Sequence, residues 1–125
     1  MLPDSNYVMI IDDDIQLCHL LSTMLYTKNV NVVCAYTISE AEKIMQQRPP
    51  FLVFLDNSLP DGNGIEFLDK LRTEYPEIKE VMITGDASEE LKQRALEHGC
   101  LAFLEKPFSY RVVSELIEKT MTVQS

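Results

Sequence analysis

The sequence predicts one doubly wound α/β domain, a parallel sheet covered by helices on both faces. Three observations carry that prediction: five short apolar runs, helical spacing in the segments between them, and short connections. The 125 residues suit a single folding unit, since domains typically run ~100–200 residues. Hydrophobic residues make up 46% and charged residues 25%, ordinary globular usage that sets aside disorder and fibrous repeats.

The first run, Tyr7–Ile11, is strand-sized and apolar throughout, as expected of a strand buried on both faces. Ile15, Leu20 or Leu21, Met24 and Leu25 then form a helical stripe, and Asn29 stands where that helix would end in a left-handed residue. Val32–Tyr36 is the second strand. Thr37 and Glu40 have capping-box spacing, opening a helix marked by Ala41, Ile44 and Met45 and closed by Pro49-Pro50. Phe51–Leu55 is the third strand, followed by a helix carrying Ile65, Leu68 and Leu71 and closed by Pro76. Val81–Ile83 is the fourth, with Leu91, Ala95 and Leu96 on its helix and Gly99 at that helix's end. Leu101–Leu104 is the fifth, before a last helix bearing Val112, Val113, Leu116 and Ile117. Only the first few residues and Thr122–Ser125 are expected to be loose.

Charge and cysteines exclude several function classes. Twenty acids against eleven bases leave −9 at neutral pH, so a nucleic-acid polyanion would be repelled. No apolar run approaches the ~20 residues of a membrane span, and no export signal opens the chain. Cys18, Cys34 and Cys100 are an odd, scattered set, which argues against a disulfide framework or zinc site and fits a reducing cytosol. Each is expected to be a small buried apolar side chain. His19 and His98 lack metal-ligand spacing.

In an open parallel α/β sheet, ligands bind beyond the carboxyl ends of the strands. The first run ends in Asp12-Asp13-Asp14, the third in Asp56, the fourth in Thr84 and the fifth, after Glu105, in Lys106. Singly, each has a bland reading: Asp14 as a helix cap, Asp12 or Asp13 assisting a helix dipole, Asp56 capping a turn, Thr84 beginning a loop, Lys106 solvated. Together they converge on one edge. Two ionised carboxylates ~4 Å apart at an effective dielectric of ~20 repel by about 4 kcal/mol. Three in one cleft must take up a proton or bind a cation. All-oxygen ligands with room for waters and a phosphate favour magnesium over zinc. A hydroxyl, an ammonium and a divalent cation around one carboxylate make a receptacle for a phosphoryl group, with Asp56 the natural nucleophile.

These residues mark the receiver domain of two-component response regulators, which the sequence resembles from about Tyr7 to Met121. The matching stretches run from Val8 to Asp14, from Leu55 to Glu66, from Met82 to Gly85 and from Phe103 to Phe108. The resemblance implies one receiver domain over residues 1–125, with a flavodoxin-like (βα)5 fold and strand order 2-1-3-4-5. It also implies a cytoplasmic phospho-acceptor that catalyses only its own phosphorylation and dephosphorylation. Asp56 would take phosphate from a sensor histidine kinase or a histidine phosphotransfer protein. Asp13 is implied as the direct magnesium ligand, Asp12 as the acid holding the ion mainly through water, and Asp56 and the Ser58 backbone carbonyl as further ligands. Manganese can stand in for magnesium. Lys106 would pair with the phosphoryl oxygens, and its bond to Pro107 is similar to one that is cis in the family. Gly64 matches a glycine that lets the loop turn into the third helix.

Thr84 and Phe103 resemble the family's switch pair, the hydroxyl moving inward to the phosphoryl group and the ring following. The responding surface would be the fourth helix, fifth strand and fifth helix, facing an effector domain or protein, or a second copy. Gly85 leaves access to the phosphate open, and Asp86 and Ser58 would flank the path of an attacking water. Asp14 is expected to start a helix rather than bind metal. Two other readings compete. A pseudo-receiver acting as a phosphate-independent interaction module would have no use for the complete set of acids, hydroxyl and lysine. An aspartyl phosphohydrolase usually needs a second acid where Ser58 stands, and a flavin site wants a Gly/Ser/Thr-rich loop where this chain has Asp12-Asp13-Asp14.

Overall fold

In chain order the elements are β1 (Tyr7–Ile11), α1 (Ile15–Tyr26), β2 (Asn31–Ala35), α2 (Ile38–Gln47), β3 (Leu52–Asp56), β4 (Ser58–Leu59) and β5 (Gly62–Asn63), then α3 (Gly64–Glu74), β6 (Lys79–Thr84), α4 (Glu89–Glu97), β7 (Ala102–Glu105) and α5 (Tyr110–Gln124). The computed structural model describes residues 7–85 and 88–124, with side chains through Thr120. Five strands form one parallel sheet in the order β2-β1-β3-β6-β7, while β4 and β5 make a separate antiparallel ribbon. Without that ribbon, the order is the expected 2-1-3-4-5 of a flavodoxin-like fold.

Near-continuous apolarity was the right signal for the central strands, because β1 and β3 are buried at every position. Successive side chains point to opposite faces, so each strand feeds two cores. Met9, Ile11, Val53, Leu55 and Met82 pack under α2, α3 and α4. Val8, Ile10, Phe54, Val81 and Ile83 pack under α1 and α5. Both β2 and β7, at the sheet edges, are less deeply buried.

Several local expectations shift. The second, third and fifth strands lie one residue from the apolar runs that predict them, and β6 extends on both sides of Val81–Ile83. On α1 the buried stripe is Cys18, Leu21 and Leu25, whereas Ile15 and Leu20 are exposed. Cysteine fills the inward position, so counting only larger apolar residues rotates the face. Leu96 and Val112 likewise point outward beside buried Ala95 and Val113. At the start of α2, Thr37 Oγ1 accepts from Glu40 N at 3.0 Å, but the Glu40 carboxylate reaches back to Tyr36 N instead of Thr37 N. Asn29 and Gly99 do adopt positive φ, 64° and 89°. Helix α5 continues to Gln124 through most of the segment expected to be loose, and the first few residues, also expected to be loose, lie outside the described ones. Cys18 and Cys100 are buried, but Cys34 is only partly so.

One buried acid lies at the opposite end of the sheet from the predicted site. Glu80, near the start of β6, is 4% exposed. Burial pushes its carboxyl up to about 7, against the lowering pull of Arg72 and Lys79. A folded-state pKa above the unfolded value means the acid's stabilising contribution is complete below pH 4.5 and is lost as pH rises through about 7. Glu80→Gln, which mimics the protonated form, is therefore expected to match the parent at pH 4 and to exceed its stability at pH 8 by about 3 kcal/mol. Urea denaturation at the two pH values checks this.

Candidate functional site

Beyond β1 the chain turns sharply into α1. Asp12 N donates to Ala35 O at 3.1 Å, extending the strand ladder by one step and carrying Asp12 into the interior, where it is 0% exposed. Asp12 Oδ1 accepts from Asp14 N at 2.9 Å, and Asp14 Oδ1 accepts from Leu17 N at 3.2 Å, so Asp14 is the helix cap expected of it. Asp13, between them, is exposed. Asp56 is the last residue of β3 and is buried.

Carboxylate oxygens of Asp12, Asp13 and Asp56 all lie within 4.8 Å of one another. Burial first, and then the charge of Asp12, push the Asp56 carboxyl up to about 6, while Lys106 and the Ser58 backbone N–H pull it down. Lys106 enters from the end of β7. Its Nζ is 2.8 Å from Asp12 Oδ2 and 3.8 Å from Asp56 Oδ2. Burial opposes the ammonium's charge, but Asp12, Asp56 and Asp14 outweigh it and raise the Lys106 pKa. The Lys106-Pro107 bond is cis.

These groups fit a hard divalent cation. Asp12 Oδ2 is buried and receives no hydrogen bond. The ammonium 2.8 Å away attracts it by charge, without the alignment of a donor. One ammonium also leaves the three clustered acids under-compensated. A donor set made only of carboxylates suits magnesium or manganese rather than zinc. Ser58, in β4, sends its backbone N–H to the Asp56 carboxyl, which places its peptide beside the cluster.

Thr84 closes β6 at 3% exposure, and its carbonyl accepts from Lys106 N at 2.8 Å. The lysine and threonine ends are thus one hydrogen-bonded unit. Phe103 pairs in register with Met82 and packs on the α2–α4 layer, partly buried. The structure therefore brings Asp12, Asp13, Asp56 and Lys106 into contact, with Thr84 tied to Lys106 and Phe103 on the adjoining strand. Asp86 lies outside the described residues. At Gly85, an added Cβ would meet nothing within 4 Å.

The loop after Asp56 shows what the sequence reading missed. Gly64 is needed for close approach rather than for a special turn, since a Cβ there would stand 2.7 Å from Asp56 O. Gly64 N donates to Asn57 O at 2.9 Å, and Ile65 N to Asn57 Oδ1 at 3.3 Å. Asp61 takes N–H groups of Ile38 and Ser39 at 2.9 and 3.0 Å, which hold its carboxyl below the usual range. This ties the loop to the start of α2. The Asp61-Gly62 dipeptide, a turn signal between short strands, was the clue available.

A flavodoxin-like sheet thus gathers three acids around one lysine at its carboxyl edge. The model of the response regulator receiver domain matches residues 8–118, and the chain belongs to that family. Among solved structures, it resembles a CheY-like receiver domain protein from Methanospirillum hungatei at 29% identity, covering 95% of each chain, with a TM-score of 0.88. It also resembles a two-component response regulator from Clostridium difficile at 25% identity, covering 94% of this chain and 96% of that one, with a TM-score of 0.89. The beryllofluoride-activated NtrC4 receiver domain, solved as a dimer, shares 30% identity over 96% of this chain and 99% of that one, with a TM-score of 0.90. Among the described residues, no helix is long and apolar enough to cross a membrane.

Removing the ammonium leaves two buried carboxylates facing each other. Lys106→Met is expected to destabilise the chelator-treated protein by about 3 kcal/mol at neutral pH. Magnesium should recover part of that loss, and urea denaturation with and without the ion reads both effects.

Proposed function

We propose that this receiver domain is a phosphorylation-activated switch, with Asp56 accepting a phosphoryl group from the phosphohistidine of a sensor histidine kinase or a histidine phosphotransfer protein. The observation that carries this reading is the convergence of three carboxylates within 4.8 Å beside Lys106. Asp13 and Asp56, with the Ser58 carbonyl, would hold magnesium, and Asp12 would support it through water. The ion would neutralise negative charge on the incoming phosphoryl oxygens.

An Asp56 carboxylate oxygen attacks phosphorus as the P–N bond to the donor imidazole breaks. Lys106 shifts its attraction from carboxylate to phosphoryl oxygen, and the Thr84 hydroxyl donates to another. A groove of about 350 Å³ lined by Leu17, Leu20, Pro107 and Phe108 runs from Lys106 along α1. A donor protein docking on this groove would meet Lys106 at one end of it.

Moving a two-state population from 1:99 to 99:1 requires ~5.5 kcal/mol of differential binding. Hydrogen bonds to charged groups contribute ~1.5–3 kcal/mol each, so Thr84, Lys106 and one backbone amide together reach that scale. The response would be read on α4, β7 and α5. There Leu96, Leu101 and Val112 are exposed at 47%, 41% and 37%, apolar positions that an effector or a second copy would cover.

Incubation with acetyl phosphate and magnesium is expected to add one phosphoryl mass at Asp56, and Asp56→Asn to abolish it. No addition to the parent chain would leave the phosphate-independent interaction module instead. Thr84→Ala is expected to keep phosphate uptake but lose most of the change in hydrogen exchange across α4–α5. A wild-type exchange response in that variant would remove Thr84 from the switch.

A further inference from the structure

Cys18 and Cys34, far apart in sequence, meet under the α1 side of the sheet. Cys34 is the penultimate residue of β2, in register with Ile10, and its side chain packs in the same layer as Cys18 of α1. Asp12, whose carbonyl the Cys18 thiol reaches, donates its own N–H to Ala35 O, next to Cys34 in the chain. Ser22, one helical turn beyond Cys18, places its hydroxyl 3.8 Å from Cys34 Sγ. The Cys18 thiol also donates to the backbone carbonyl of Asp12 at 3.7 Å. Cys100 is separate, buried in the opposite layer.

We propose that Cys18 and Cys34 are a redox modification site, a thiol pair that closes reversibly to an intramolecular disulfide when a hydroperoxide oxidises Cys34. Exposure sets the order of events. Cys18 is 1% exposed, whereas Cys34 is only partly buried and reachable from solvent. The Ser22 hydroxyl, 3.8 Å from Cys34 Sγ, is placed to donate to that sulfur as negative charge develops on it. Cys18, shielded from solvent, is left as the resolving partner.

The Cys34 sulfur attacks one peroxide oxygen, the O–O bond breaks, and Cys34 becomes a sulfenic acid as an alcohol or water leaves. Cys18 sulfur then attacks Cys34 sulfur, its proton leaving with the departing hydroxide as water. The peroxide is reduced and two thiols become one disulfide. Closure joins α1 to β2 and removes the S–H that now donates to Asp12 O. This site does not depend on phosphoryl transfer.

The test treats the reduced, folded full chain with hydrogen peroxide, alkylates remaining thiols under denaturing, non-reducing conditions and maps the peptides by mass spectrometry. The expected product is a Cys18–Cys34 linked peptide, reversed by dithiothreitol, with Cys100 alkylated. Cys18→Ser should leave Cys34 as a sulfenic acid that dimedone captures, and Cys34→Ser should leave Cys18 a thiol. Cys34→Ala repeats the second experiment without a new hydroxyl, and circular dichroism confirms that each variant is folded. The proposal is overturned if the folded chain yields no such link, links only between chains, or oxidises Cys100 as readily as Cys34.

Discussion

Negative charge held close at the end of a sheet is the constraint on which the rest of this structure depends. Asp12 is fully buried, Asp56 nearly so, and one ammonium serves both while Asp13 adds a third acid. Left alone, such groups would separate or protonate. Backbone contacts hold them in place: Asp12 N to Ala35 O, Gly64 N to Asn57 O and Lys106 N to Thr84 O. Each fastens one loop to a strand end beside it, so the two hydrophobic layers that stabilise the sheet also hold the acids together. The raised carboxyl of Asp56 reflects its burial first and the nearby Asp12 charge second.

The same geometry explains how an event at one carboxylate can be felt elsewhere. Thr84 follows Met82 on one face of β6, and Phe103 pairs with Met82 from β7. Leu91 and Ala95 of α4 belong to that same layer. Cores pack at nearly crystalline density and shift between discrete arrangements rather than deforming smoothly. Under the proposed switch, a hydroxyl drawn toward the acids would alter the packing of a layer that contains α4, while α1 and the other layer lie across the sheet.

Most of the architecture was legible because its strongest signals are physical necessities. Strands buried on both faces must be apolar at every position, as Tyr7–Ile11 and Leu52–Leu55 are. Residues just beyond such strands must lie at the ligand-binding edge, which is why Asp12, Asp56, Thr84 and Lys106 could be gathered before any coordinates. What escaped depends on distances that sequence order hides. The Asp61 clamp on α2 joins segments separated by a strand and a helix. The inward face of α1 was only partly legible: Leu21 and Leu25 lie on it, but the cysteine that completes it was not counted among the apolar residues. Gly64 was correctly singled out, but its reason is the Asp56 carbonyl against its Cα rather than a turn conformation.

Asp12 shows why the site and the core cannot be altered independently. Its N–H belongs to the sheet, its carbonyl to the Cys18 thiol, one carboxylate oxygen to the turn that begins α1, and the other to Lys106. Only that last oxygen lacks a hydrogen-bond donor. A buried residue with its other polar atoms committed cannot rotate to relieve the unmet one without breaking contacts in the sheet or the helix start. Beyond the Lys106 ammonium, a cation from outside the chain or proton uptake nearby would ease that imbalance. In the first case the acids become a binding site, and in the second they lose the charge that makes them one. With Asp56 pushed up only to about 6, the ionised form that a cation would need is the one expected at neutral pH.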